Sequence, residues 1–265
     1  MMRPGAPITV LVLACSVLLI QACSVRESRT LTDKNGTAWR PPDPKAIPQG
    51  PVGDNIRLGM RIFNETPKYA AEFVGNRQNC SDCHIQGGAQ PYAAPMVGLS
   101  GLFPMFNQRA NRVITLEDRV EECFVRSESG RPLPYDSPKM VAVVSYVHWL
   151  SQGQVSGKPF PGRGFVKLPK LTPDAGNGAA VYRDQCSGCH GQDGAGKPPI
   201  LPALWGPDAY NDGAGMNSVE KMAAFVQHNM PQNKPGTLSA QEAYDVAAYV
   251  KSKPHQRFNP VFASY

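Results

Sequence analysis

Charge is scarce in this sequence: 18% of residues carry it, and the 27 Lys and Arg that outnumber 21 Asp and Glu are scattered along the chain. No basic run is interleaved with aromatics, so the formal net charge of +6 does not read as a nucleic-acid footprint. A small anion or an acidic redox partner suits dispersed positive charge better. Strand signals are weak throughout, which leaves an all-α class. The apolar run from Ile8 to Ile20 is short for a membrane span. With Arg3 ahead of it, the run has the n-region and h-region of a secretory signal, assigned to residues 1–23. Ala22-Cys23 resembles a lipoprotein processing site, so a lipid anchor at Cys23 and ordinary cleavage nearby both stay open. Either way the protein is expected to be exported, and Cys15 to leave with the signal.

What the chain does have is 25 Gly, 26 Pro, seven cysteines and five histidines in 265 residues. Four of the cysteines and two of the histidines fall into one repeated pattern. Cys80-Ser81-Asp82-Cys83-His84 is a C-x-x-C-H signature, in which two thiols form thioethers to haem vinyl groups and the histidine ligates iron. Cys186-Ser187-Gly188-Cys189-His190 repeats it. A disulfide or a stray redox pair does not explain two such sites, so the cofactors expected are two covalently bound haem c groups. The motifs lie about a hundred residues apart, close to one domain's length. Much Gly and Pro is expected where a large cofactor supplies part of the core.

Organisation follows the motifs. Residues 24–50 are polar and Pro-rich, including Arg40-Pro41-Pro42-Asp43-Pro44, and read as an extended arm. A first domain spans 51–153. Ile56, Met60 and Phe63 recur at helical spacing before the first motif, and Gly87-Gly88 with Pro91 forces loop after it. Thr115 can cap a helix through the amide of Asp118, and Ser137-Pro138 starts a third, strongly apolar helix. Residues 154–172 are a Pro/Gly-rich linker. A second domain, 173–265, repeats the order of helix, motif, long loop and closing helix, the last capped by Ser239 with Glu242 at the capping-box position. Val144-Ser145-Tyr146-Val147 answers to Ala247-Ala248-Tyr249-Val250. The arrangement resembles two class I cytochrome c domains produced by internal duplication.

His84 and His190 supply one axial ligand to each iron, leaving the opposite faces to assign. In the second domain Met216, Met222 and Met230 compete, and Met230 in Asn229-Met230-Pro231 follows a helical stretch forty residues beyond His190, where such cytochromes bring their methionine. Met222, mid-helix with Phe225, suits the core. In the first domain Met96, Met105 and Met140 are available, but so is Cys123, which has no disulfide partner once the motif cysteines are committed. A buried structural thiol is one reading of Cys123. The other is a thiolate, favoured by the positive setting of Arg109, Arg119 and Arg126, with Arg119 and Ser127 one helical turn to either side.

Arg109, then Arg119-Val-Glu-Glu-Cys123-Phe-Val-Arg-Ser127, then Asn229-Met230-Pro231 together resemble the thiosulfate dehydrogenase family, over roughly residues 51–265. The resemblance implies a periplasmic dihaem enzyme that joins two thiosulfates into tetrathionate. It implies that Cys123 is the distal ligand of the active-site haem and that Arg109, Arg119 and Ser127 contact substrate, with Asn107 a further contact to look for. Some members carry lysine directly before the second methionine. Here that position is Asn229, so steady His190/Met230 ligation is expected, with Lys234 a remote competitor. The electron acceptor would be a small cytochrome c, a high-potential iron–sulfur protein or another haem subunit. Two other readings stay open at this stage: an electron-transfer cytochrome with no substrate of its own, and the dihaem subunit of a sulfur-oxidation complex that conjugates thiosulfate to a carrier protein.

Overall fold

The computed structural model describes residues 40–265, so the signal segment, Cys15, Cys23 and most of the expected arm lie outside the described residues. The part of the arm that is described does not all run free over the surface. Asp43 caps a short 3-10 turn at Pro44–Ala46, and Ile47 is buried among Ile56, Phe63 and Trp149.

Helices build the rest, in the expected order. The first set comprises α1 (Pro51–Asn64), the single turns α2 (Thr66–Tyr69), α3 (Cys80–Cys83) and α4 (Ile85–Gly88), then α5 (Leu116–Arg126) and α6 (Pro138–Leu150). The second comprises α7 (Ala175–Gln185), α8 (Ser187–His190), α9 (Val219–Asn229) and α10 (Ala240–Lys251). The start signals act as read: Thr115 Oγ1 accepts from the Asp118 amide at 3.2 Å, Ser137 caps α6, and Ser239 with Glu242 closes a capping box on α10. One departure from an all-helical chain is a small antiparallel hairpin, β1 (Met105–Asn107) and β2 (Arg112–Ile114). At three residues per strand it is too short to leave a periodic signal in the sequence.

Each set is closed by the same contact. In the first, α1 crosses α6 where Gly59 lies against the carbonyl of Ala142 and the side chain of Tyr146. In the second, α7 crosses α10 where Gly178 lies against the carbonyl of Asp245 and the side chain of Tyr249. A Cβ on either glycine would fall 2.0 Å from the facing carbonyl oxygen, so only glycine allows the crossing at this distance. The internal duplication inferred from the two tyrosines is therefore a duplication of packing.

The two sets are pinned together, mostly by side-chain amides. Asn76 donates to the Ala209 carbonyl at 3.0 Å, Gln78 to Ala203 at 2.8 Å and Asp208 at 3.2 Å, and Asn211 to Val125 at 2.9 Å. All three are buried. The Pro/Gly-rich linker is anchored to the first set: Phe160 is buried, and the carbonyls of Gly162 and Gly164 accept from the amides of Tyr92 and Ala94.

Candidate haem and substrate site

Two of the short helices carry the attachment signatures. Asn79 caps α3 while Asp82 reaches back to the Asn79 amide at 2.8 Å, so a capping box orders a single turn that propensity alone would not hold. The thiols of Cys80, Cys83, Cys186 and Cys189 are unpaired. His84 Nδ1 lies 2.6 Å from the Ala94 carbonyl, and His190 Nδ1 lies 2.9 Å from that of Pro202. A carbonyl only accepts, so each Nδ1 carries the proton and each Nε2 keeps its lone pair for a metal. Burial pushes the His84 pKa down to about 4, which keeps the ring neutral.

Above α3 lies a cavity walled largely by apolar side chains, with a few polar groups converging on it. Cys80, Cys83 and His84 line one side. From α5, Arg119, Cys123 and Ser127 line another, three residues on one helical face as their spacing requires. Apolar walls come from Phe63 of α1, Met96 and Leu99 of the loop, and Val143 and Val147 of α6. Unpaired motif thiols, a histidine with a free Nε2 and an apolar cleft between that histidine and Cys123 fit a covalent haem.

The charges around Cys123 differ from the sequence expectation. Of the three arginines, Arg119 is the strongest influence holding the thiol down, and Arg109 is a weaker one. Arg126 turns away: its guanidinium sits over the Phe258 ring at 4.1 Å and donates to the Tyr265 carbonyl at 2.9 Å, tying α5 to the C-terminal segment. Burial is the largest influence on Cys123 and pushes its pKa up, with Glu122 and Glu128 adding to the rise. The protein alone therefore does not make a strongly electropositive pocket. Thiolate character at Cys123 would require a further cation facing it.

Asn107 and Arg109 are not among the residues lining the cavity. Asn107 closes the hairpin, its Oδ1 accepting from the amides of Arg109 and Ala110, while its Nδ2 donates to both oxygens of Glu122 at 3.1 Å. Glu122 Oε2 in turn accepts from Arg119 at 2.6 Å. Asn107 thus stands behind Arg119, through a buried carboxylate that sequence reasoning passed over. Arg109 is exposed on the hairpin, close enough for its charge to be felt at Cys123.

Glu128 was also missed. It is fully buried, its Oε1 lies 3.9 Å from Cys80 Sγ, and its Oε2 has no hydrogen-bond partner. A glutamate one position past Ser127 gave no helical-face reason to point inward. In the second set, Met222 is in the core with Tyr182 and Tyr244, and Met216 packs on the edge of that core while also lining the first cavity. Met230 follows the last residue of α9 and is partly buried. Beside it Asn229 is held by donating to Phe225 at 3.0 Å and Tyr92 at 3.2 Å.

Comparison with known proteins bears on this arrangement at three levels. Residues 67–155 match the model described as SoxA/TsdA, cytochrome c domain, and residues 173–250 match cytochrome C oxidase, cbb3-type, subunit III. A thiosulfate dehydrogenase of Stutzerimonas stutzeri is 36% identical over 252 residues, covering 91% of this chain and 81% of that protein. The chain belongs to the thiosulfate dehydrogenase family. Another member, from Allochromatium vinosum, is 40% identical, covering 80% of this chain and 82% of that one. The solved thiosulfate dehydrogenase (TsdBA) from Marichromatium purpuratum is 35% identical with a TM-score of 0.77, matching 81% of this chain and 49% of that longer chain. As a member of the thiosulfate dehydrogenase family, the protein is an oxidoreductase of cytochrome c type with covalently bound haem c.

Proposed function

We propose that the protein is a periplasmic enzyme that oxidises two thiosulfates to tetrathionate, with the reaction centred on Cys123. The observation that carries the reading is that Cys123, Arg119 and Ser127 share one cavity with the first attachment motif. Two haem c groups are expected, one held by Cys80, Cys83, His84 and Cys123 in a domain spanning 51–153, the other by Cys186, Cys189, His190 and Met230 in a domain spanning 173–265. When bound they supply one-electron chemistry, accepting electrons from the site and relaying them outward.

The protein's part is to bring two dianions together. At about 5 Å their repulsion is roughly 3 kcal/mol even in bulk water, and it grows as water is excluded. Arg119 offers a forked donor to sulfonate oxygens, and Glu122 fixes its orientation from behind. Arg109, exposed on the hairpin, adds charge at the mouth. Ser127 supplies a hydroxyl donor one turn past Cys123. For the coupling step Cys123 would have to give up its place as a haem ligand; its thiolate and the outer sulfur of one thiosulfate then form an S–S bond, and the two electrons released would be taken up one by each haem. The outer sulfur of a second thiosulfate then attacks the substrate sulfur of that adduct, forming tetrathionate and returning the cysteine thiolate. The same steps in reverse reduce tetrathionate, so the acceptor's potential sets direction. A small cytochrome c or a high-potential iron–sulfur protein serves as acceptor.

The test is a steady-state assay of the haem-loaded protein with thiosulfate and ferricyanide, with tetrathionate quantified for wild type and Cys123→Gly. Loss of turnover with both haems retained supports the reading. Undiminished turnover removes Cys123 from the mechanism, and a wild type that forms no tetrathionate overturns the substrate assignment in favour of an electron carrier.

A further inference from the structure

Tyr210 comes from the second half of the chain, yet it lines the first cavity, alongside Met216. Its mounting is firm on both sides. The preceding residue, Ala209, accepts from Asn76, and the following one, Asn211, donates through its amide to the Arg126 carbonyl and through its side chain to Val125. The phenol ring stacks on His255 with centroids 4.8 Å apart and planes at 26°. The side chain is almost wholly buried, and its hydroxyl has no hydrogen-bond partner in the protein.

A buried phenol normally finds a partner, because leaving its hydrogen bond unmade costs about 1–3 kcal/mol. Here the ring is held in place while the hydroxyl is unsatisfied, so the missing partner belongs to what fills the cavity. Taking that occupant as the first haem, as the preceding reading has it, the chemistry narrows the choice. The periphery of haem c offers methyl groups, thioether sulfurs and two propionate carboxylates, and only the carboxylates are strong acceptors. Burial pushes the Tyr210 pKa upward, which keeps the hydroxyl a donor.

We propose that Tyr210 donates a hydrogen bond to a propionate of the first haem, so that the second domain completes the first haem's site and sets its potential. A donated hydrogen bond disperses the propionate charge, makes the field at iron less negative and favours the reduced state. Tyr210 is a positioning and tuning residue. It takes no part in the sulfur chemistry.

The experiment is Tyr210→Phe in the full-length, haem-loaded protein, which keeps the ring and its stacking on His255. The readouts are the potential of each haem by spectroelectrochemistry and the propionate bending bands by resonance Raman, both without thiosulfate. Expected is a lower potential for the first haem alone, with its reduced-to-oxidised ratio at fixed applied potential falling about three- to tenfold, tenfold being 59 mV for one electron. A shift of a propionate band should accompany it. Unmoved potentials and bands, or a shift at the second haem or at both equally, overturn the proposal while leaving the thiosulfate reading intact. The mass of the motif peptide is checked first: a Cys80–Cys83 peptide without haem overturns both the haem assignment and this proposal.

Discussion

Gly59→Ala sets two physical effects of opposite sign against each other. Inside a helix, replacing glycine by alanine is worth about 0.5–1 kcal/mol of added stability, because the unfolded chain loses freedom. At this position the new Cβ would meet the Ala142 oxygen at 2.0 Å, the Ala142 carbonyl carbon at 2.6 Å and Tyr146 Cβ at 2.8 Å. Ordinary C···O contact is ~3.3–3.6 Å, so α1 and α6 must part by more than about 1 Å. The obstructing atoms are backbone and cannot rotate aside. Overpacking of this kind costs about 1–3 kcal/mol, and a gap of about 1 Å elsewhere along the crossing forfeits much of its dispersion energy. The clash wins, with a net loss of about 2 kcal/mol and a fall in Tm of roughly 8–16 °C for a domain of this size. The assay is far-UV circular dichroism with the haem Soret band followed together, since Phe63, Val143 and Val147 of the two helices also wall the cavity. A Tm equal to or above that of wild type would refute the reasoning, because helix propensity alone predicts that result.

Asp118 accepts from both Arg112 nitrogens, at 2.9 and 3.0 Å, and from the Thr115 amide at 2.8 Å, and the Arg112 bond is the main reason its pKa falls to about 2. A depressed folded-state pKa gives stability that is present above the unfolded value, near 3.8, and lost as pH falls through about 2. Asp118→Asn should therefore lower stability by about 1 kcal/mol at pH 7, a difference that closes between pH 4 and pH 2 in urea titrations; a gap independent of pH would contradict it. Asn76→Ala strands the Ser127 and Ala209 carbonyls that the side chain satisfies at 2.7 and 3.0 Å. It should cost about 1–3 kcal/mol and raise amide hydrogen exchange at 203–211 more than at α10, and unchanged exchange there would show that the contact does not hold the two halves together.

The sequence made the helices legible wherever a cap announced them. Thr115, Ser137 and Ser239 each bond the third residue of the helix they start, so α5, α6 and α10 begin where those side chains stand. The attachment motifs and the 119/123/127 face were equally readable, because both are local in the chain. What escaped has a common cause. Tyr210 and Met216 reach the first cavity from more than eighty residues beyond Cys123, and Glu122 and Glu128 matter through where their carboxylates point, which helical spacing did not reveal. Arg126 misled for the converse reason: counted by proximity to Cys123, it belongs to a contact with Phe258 and Tyr265 that only the folded chain brings close.

The contacts that pin the halves together are side-chain amides of one half meeting main-chain carbonyls of the other, at Ala203, Asp208 and Ala209 in one direction and Val125 in the reverse. A carbonyl is the same whatever side chain its residue bears. The side chain at 208 can therefore change without altering the Gln78 bond, whereas Ala203 and Ala209 are buried and have to stay small for the loop to keep its path. A graft that preserves the course of 199–216 while exchanging the outward surface of the second half should still seat correctly. In such a chimera the joint between the halves and the outer surface of the second half would vary independently of each other.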